Sequence, residues 1–285
     1  MNTEYMIEEL HRMDILPVRH YRVKKMSGTT DKTVYRLTSV GQPSYVFKKD
    51  NPNEIIHVER FFQAYQNIEL FSKLGYVDPE KRFLVYTHIE GTTHIHCGKK
   101  INWLSDLVTN FFNHYKEVEV NESWGSLVSP SSSWHAFCME NIDFARTRIQ
   151  QHLTDEDYNK VKDLVDWLAQ FEQEDKKYLV HGDVGVHNMV FDNEQLVGVI
   201  DPDALVGTSM YDFTYAFCSS PDDLNVETLL EAANLLNHGP INEQRLIAEV
   251  FVSLYVRIGT CIAWHPSDLE AYLEVWEYWK EKMKG

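Results

Sequence analysis

Asp183, Asn188 and Asp201 are the residues of this chain whose types and spacing could do chemistry. Asp183 and Asn188 lie five positions apart in His181-Gly182-Asp183-Val184-Gly185-Val186-His187-Asn188, and Asp201 opens Asp201-Pro202-Asp203 after an apolar stretch. Two carboxylates and an amide oxygen suit magnesium, a hard ion that takes oxygen ligands and keeps waters and substrate phosphates as the remainder. Phosphoryl transfer needs such an ion on the β- and γ-phosphates, with a separate carboxylate to accept or orient the proton of the attacking hydroxyl. Asp183 fits the carboxylate role, and Asn188 and Asp201 fit the metal role. Taken singly, an aspartate after glycine is a turn former and an asparagine a cap or surface residue. The joint spacing, flanked by strands, is what points to chemistry.

Positioning these three requires a ribbon. Tyr178-Leu179-Val180 is an extended apolar run that leads into the polar segment. Met189–Phe191 and Leu196–Ile200 can pair as a hairpin across Asp192-Asn193-Glu194-Gln195. Antiparallel pairing then puts Asn188, just before one strand, and Asp201, just after its partner, at the same end of the ribbon near Asp183.

Upstream, Val34–Thr38 and Ser44–Lys48 read as a β-hairpin around Gly41-Gln42-Pro43. The spacing of Ile55, Val58, Phe62, Tyr65 and Phe71 predicts a helix from Glu54 to Leu74 with Gly75 as its cap, and Phe83–Tyr86 is a further apolar run. Trp103 to Tyr115 marks an amphipathic helix with a wide apolar face, and the segment 122–133 reads as an exposed loop. Thr154 starts another helix. Three more follow: near Val226–Leu236, near Glu243–Trp264, and one opened by the capping box Ser267-x-x-Glu270.

With 285 residues, 44% of them hydrophobic, the chain can bury one large core or two smaller ones. The formal charge of −16 repels polyanions and attracts cations, which excludes nucleic acid as a partner. The four cysteines, Cys97, Cys138, Cys218 and Cys261, form no C-x-x-C pair and read as reduced core thiols. The charged N-terminus is unlike a signal peptide, and no stretch approaches the roughly 18 apolar residues of a span. The expectation is a cytoplasmic protein without a membrane partner.

His181-Gly-Asp183 with Asn188, followed by Ile200-Asp201, resembles the Brenner-type motif of the aminoglycoside phosphotransferase and choline kinase superfamily, relatives of protein kinases. The resemblance is strong from Tyr178 to Phe217. It implies an α+β, bilobal protein-kinase-like fold, with a small β-rich N-lobe over residues 1–90, a larger mainly helical C-lobe over 91–285, and nucleotide between them. It implies Asp183 as catalytic base and Asn188 and Asp201 as ligands of Mg2+, with ATP or GTP as phosphate donor. Ser27 and Gly28 resemble the family's nucleotide-positioning loop. Lys48, on the same strand face as Val46, resembles the lysine that contacts the α- and β-phosphates, with Lys49 pointing away. Glu59, or less well Glu54, resembles its acidic partner, and His88 and Ile89 fall where backbone groups would meet adenine. His181 reads as a loop-shaping residue, His187 as accessory, Asp203 as marginal to the site and Asp212 as a structural acid. His94-Ile95-His96-Cys97 reads as surface rather than metal site, since nothing nearby completes it.

The function these readings support is transfer of the γ-phosphate to a hydroxyl of a small, cationic or polyhydroxylated acceptor, with aminoglycoside-like or other amine-bearing molecules favoured. Choline, a ketosamine, thiamine, homoserine or a macrolide would use the same trio. A regulatory nucleotide-binding pseudokinase is the alternative of another class. Such proteins usually lack the base or a metal ligand, and here all three are present.

Overall fold

Strands that alternate side chains between two faces divide the apolar residues of the first sheet into two clusters. The computed structural model describes residues 3–26, 33–237, 239 and 242–283. Helix α1 (Thr3–Arg12) precedes strands β1 (Arg22–Lys25), β2 (Thr33–Thr38) and β3 (Tyr45–Lys49), then helix α2 (Pro52–Ala64) and strands β4 (Leu74–Val77) and β5 (Phe83–Thr87). The sheet is antiparallel in the order β1-β2-β3-β5-β4. Leu37, Phe47 and Val85 bury one face against Met6, Ile7 and Leu10 of α1, while Val34, Val46, Leu84 and Tyr86 bury the other against Ile55, Val58 and Phe62 of α2. Lys48 pairs in register with Val34 and Leu84 and so shares the α2 face, only 1% exposed, whereas Lys49 points away and is exposed.

The helix read over Glu54–Leu74 stops at Ala64. Asn51 starts it by accepting from the Glu54 N–H at 3.0 Å. Tyr65 and Phe71 lie beyond it, yet both rings pack on Phe61 at centroid distances of 4.7 and 5.2 Å. The turn after the helix buries its aromatics in the same cluster, which is why the apolar spacing continued. Gly75 therefore lies in β4 and caps nothing.

The chain divides into two compact units, Met1–Gly91 with Val197–Ile200, and Thr92–Leu196 with Asp201–Gly285. The second opens with α3 (Lys100–Asn110) and strands β6 (Lys116–Glu117), β7 (Trp124–Ser126) and β8 (Pro130–Ser131). Helices α4 (Trp134–Ile149) and α5 (Asp155–Leu168) lead to β9 (Tyr178–Val180), β10 (Met189–Asp192), β11 (Gln195–Val199) and β12 (Leu205–Gly207). Four helices close the chain: α6 (Ser209–Cys218), α7 (Val226–Ala233), α8 (Glu243–Trp264) and α9 (Leu269–Lys282). Strands β10 and β11 form the expected ribbon, and a five-stranded sheet runs β6-β9-β12-β7-β8. Antiparallel-sheet architecture first and helical architecture second make this a mixed α and β fold.

Several expectations need correction. Segment 122–133 is no exposed loop: β7 pairs with β8, Trp124 and Ser131 are buried, and Trp124 packs on Trp134 at 5.5 Å. Helix α4 carries no apolar stripe in its sequence, because Glu140, Asn141 and Arg146 interrupt the face that buries Ile142, Ala145 and Ile149; Ser133 starts it by accepting from the Ala136 N–H. The capping box at Ser267 does not form, since Pro266–Asp268 is a 3₁₀ turn and Asp268 takes the cap position without a side-chain bond. Thr154 and Asp157 do make a reciprocal capping box at α5. Cys218 and Cys261 are buried thiols, but Cys97 and Cys138 are only half-buried. Against the expectation of no long apolar stretch, α8 is long and apolar enough to cross a membrane, with mean hydropathy 1.7; 61% of that window is buried against its own fold. It packs on α4, α5, α6 and α9 as a core helix.

Candidate active site

The segment between β9 and β10 is pinned by an acid from α6. Asp212, fully buried, accepts the backbone N–H of His181 at 2.7 Å and of Gly182 at 3.0 Å, and the Tyr115 hydroxyl as well. Burial pushes its carboxyl up to about 6, against those three donors. The His181 ring is wholly buried, lies edge-on to Phe111, and its Nδ1 accepts the Asp183 N–H at 3.3 Å. Both residues shape the loop, in line with their sequence readings.

Gly182 has φ +84°, and a Cβ there would lie 2.1 Å from the Asp203 carbonyl oxygen. Only glycine allows the strand after Asp201 to come this close, and the Asp203 N–H donates to the His181 carbonyl at 2.9 Å. Asp201 itself holds the left-handed region, φ +54°, directly after the ribbon. The chain thus carries Asp201 back to within two residues of a backbone bond to the segment between β9 and β10. Asp203 is exposed beside it.

Asp183 is at the centre of a dense network. His187 Nε2 lies 3.1 Å from both carboxylate oxygens, the Asn188 amide nitrogen donates to Oδ2 at 2.9 Å, and the Tyr215 hydroxyl donates to Oδ1 at 2.5 Å. Burial pushes the Asp183 carboxyl up, but His187, through its hydrogen bond and charge, and Tyr215 outweigh this and hold it below the ordinary value. Its side chain remains about a third exposed, at 34%. Asn188 also donates to the Asp183 carbonyl at 2.9 Å, so its nitrogen is committed and its oxygen is the atom left to face a cation. Among the described residues no group of three or more His, Cys, Asp or Glu could hold a metal ion. Asn188 offers an amide oxygen and Asp201 a carboxylate, donor types that magnesium takes while keeping water and phosphate ligands.

Tyr215 was missed in sequence. The available signal was its place three residues after Asp212 on one helix: positions i and i+3 share a face, so whatever holds the loop with Asp212 also presents residue 215 to it.

The residues expected near nucleotide are partly described. Ser27 and Gly28 lie outside the described residues. Glu59 is engaged by Lys81, with Nζ 2.5 Å from Oε2, and by Gln63. Glu54 stands in the first turn of α2. The His88 N–H donates to the Ser44 carbonyl at 2.9 Å, and the Ile89 side chain lies over Gly198. His94, His187 and His265 gather their rings at centroid distances of 5.9 to 6.4 Å, while His96 and Cys97 take no part in that cluster.

A cavity of about 50 Å³ opens within the second unit. Trp134 and Cys138 of α4, Tyr211, Thr214 and Tyr215 of α6, and Glu249, Ser253 and Arg257 of α8 line it. The hydroxyl of Tyr215 that bonds Asp183 ties this cavity to the network above.

The model of the phosphotransferase enzyme family matches residues 129–243, which hold His181, Asp183, His187, Asn188, Asp201, Asp212 and Tyr215 but neither Tyr115 nor α8 and α9. No curated protein matches the chain. Among solved structures, choline kinase from Cryptosporidium parvum Iowa II is similar over 99% of this chain and 96% of its own, with 11% identity and a TM-score of 0.63. A thermostable mutant of aminoglycoside phosphotransferase APH(4)-Ia, in ternary complex with AMP-PNP and hygromycin B, is similar over 100% of both chains, with 14% identity and a TM-score of 0.62. Choline kinase LicA from Streptococcus pneumoniae is similar over 98% of this chain and 99% of its own, with 12% identity and a TM-score of 0.59. The fold is theirs, and residues 129–243 of the chain match the phosphotransferase enzyme family.

Proposed function

We propose that this chain transfers the γ-phosphate of ATP to a hydroxyl of a small acceptor bound in the α4–α6–α8 cavity, with Asp183 as the base. The observation that carries the reading is the Asp183 network: a carboxylate bonded by three side chains, one of which also lines the α4–α6–α8 cavity. Asn188 Oδ1 and Asp201 hold the divalent cation, which when bound neutralises charge on the phosphates. Lys48 contacts the nucleotide phosphates, with Glu59 or Glu54 as its acidic support. Ser27, Gly28 and the backbone at His88 and Ile89 complete the nucleotide contacts. Asp183 Oδ1 or Oδ2 takes the proton of the acceptor hydroxyl as that oxygen attacks. His187 and Tyr215 keep the carboxylate oriented, and Asp203 stands at the margin of the acceptor. The acceptor is amine-bearing, and Glu249 is the acid that the cavity offers to an ammonium group. AMP-PNP in the APH(4)-Ia complex supports the choice of ATP over GTP.

A phosphate-transfer screen of purified protein against amines, sugars, amino alcohols and antibiotics, with ATP or GTP and magnesium, tests the reading. Asp183→Ala should abolish transfer while leaving nucleotide affinity near the parental value, because the base acts on the acceptor. Asp201→Ala should weaken magnesium-dependent nucleotide binding itself. Parental turnover by Asp183→Ala would refute the roles assigned.

A further inference from the structure

Arg257 lies on α8, on the face that lines the cavity, and is 7% exposed. Its Nε donates to the Tyr272 hydroxyl at 3.0 Å, and its guanidinium lies 5.4 Å from that ring. Tyr272 passes its own proton on to the Cys218 carbonyl at 2.9 Å. Nη1 is buried with no hydrogen-bond partner, and among the described residues no carboxylate forms an ion pair with this arginine. The contrast with Arg245 on the same helix is direct: there both Nη atoms engage Asp175, at 2.8 and 2.6 Å. A buried guanidinium without an anion is costly, and a fold that retains one at the wall of a cavity holds it for something that arrives.

The cavity face of α8 places Glu249, Val252, Ser253, Val256, Arg257 and Thr260 along one helical stripe. At 1.5 Å per residue the acid and the arginine are roughly 12 Å apart along the axis, with an apolar and hydroxyl-bearing floor between them. Arg257 lines the same cavity as Tyr215, whose hydroxyl bonds Asp183, and Glu249 stands about two turns before it on α8. Resting on the kinase reading above, we propose that the acceptor is amphoteric: beside its amine it carries a carboxylate, which docks on the free edge of the Arg257 guanidinium. A planar fork bearing one charge matches a carboxylate in shape and charge, whereas a phosphate dianion would call for a second paired cation.

The test uses acceptor pairs that differ only in the carboxylate: L-homoserine with 3-aminopropanol, and hydroxylysine with its decarboxylated diamine. For each, kcat/KM with MgATP is measured, and Kd is measured by calorimetry without nucleotide. The carboxylate members should be preferred by about tenfold or more, the effect of one charge-assisted hydrogen-bonded pair. Arg257→Met should bring the ratio close to one, and Arg257→Lys, which lacks the fork, should restore it only in part. Circular dichroism checks that each variant is folded. Equal values within every pair, binding of no pair member, or a preference that survives in folded Arg257→Met would overturn the proposal. Carboxylate-selective binding lost in Arg257→Met, but with no phosphate transferred to any acceptor, would support the Arg257 site and refute the kinase reading instead.

Discussion

Replacing Gly182 by alanine should damage stability and turnover together, by amounts that follow from the backbone. A non-glycine residue in the left-handed region costs about 1–2 kcal/mol, and Gly182 sits at φ +84°. The added Cβ would also meet the Asp203 carbonyl at 2.1 Å where ordinary contact begins at 3.4 Å, so one backbone must retreat by roughly 1.3 Å. That movement stretches the Asp203 N–H bond to the His181 carbonyl, 2.9 Å long, which is worth about 1 kcal/mol more. The sum, about 2–3 kcal/mol, lowers the midpoint of thermal unfolding by roughly 5–10 °C in a chain of this size. Because the segment that moves carries Asp183 on one side and Asp201 on the other, a displacement of about 1 Å should cost on the order of a hundredfold in kcat. Gly41→Ala is the matched control: φ is +70° but nothing lies within 4 Å of its Cβ, so only the conformational cost applies and turnover should be parental. Calorimetric unfolding and steady-state turnover of both variants decide the matter. A Gly182→Ala protein with parental midpoint and kcat would refute the claim that this contact sets the site.

Tyr215→Phe removes the donor at 2.5 Å from Asp183 Oδ1. Removing a group that holds the carboxyl down lets its pKa rise, so the acid limb of the kcat/KM profile should move to higher pH and kcat should fall by about tenfold; an unmoved limb would count against Asp183 as the titrating base. Lys100, buried with Nζ on the Phe217 and Ser220 carbonyls, is pushed down to about 7 by burial. Its unfolded value is higher, so between about pH 7 and 10.5 the unfolded chain binds the extra proton and stability rises with pH. Relative to Lys100→Met, the parent should therefore gain roughly 2 kcal/mol between pH 7 and 9 in urea unfolding, and a pH-independent difference would show that the ammonium is not desolvated.

What the sequence revealed divides along a physical line. The Asp183–Asn188 contact and the ribbon that ends at Asp201 were legible because they are written in local order: a strand, a tight segment, a hairpin and a turn, each with its own short-range signature. Lys48 and Lys49 were separable for the same reason, since a strand's period of two assigns faces without knowledge of what covers them. Tyr65 and Phe71 misled because burial, not helicity, selects their residue type, and a turn that folds rings back onto Phe61 leaves the same pattern as a continuing helix. Helix α4 gave little signal because only Trp134, Ile142, Ala145 and Ile149 are buried along its 16 residues, with polar residues between them. Tyr215 and Arg257 required tertiary knowledge, as the partners that define them, Asp183 and Tyr272, come from other elements.

The same division explains why net charge and cavity disagree about the acceptor. A formal charge of −16 acts through solvent, where screening over about 8 Å reduces it to a steering effect on arriving cations. Recognition inside the cavity is decided by the groups that have already lost their water, and there Glu249 and Arg257 stand at opposite ends of one helical stripe. Burial pushes the Glu249 carboxyl up to about 7, against the pull of Arg245 at 3.5 Å. Arg257, as a guanidinium, keeps its charge and can only wait for an anion. Of the two, the arginine is therefore the stricter filter: Glu249 already has Arg245 3.5 Å away, whereas the buried Arg257 guanidinium has no carboxylate partner among the described residues.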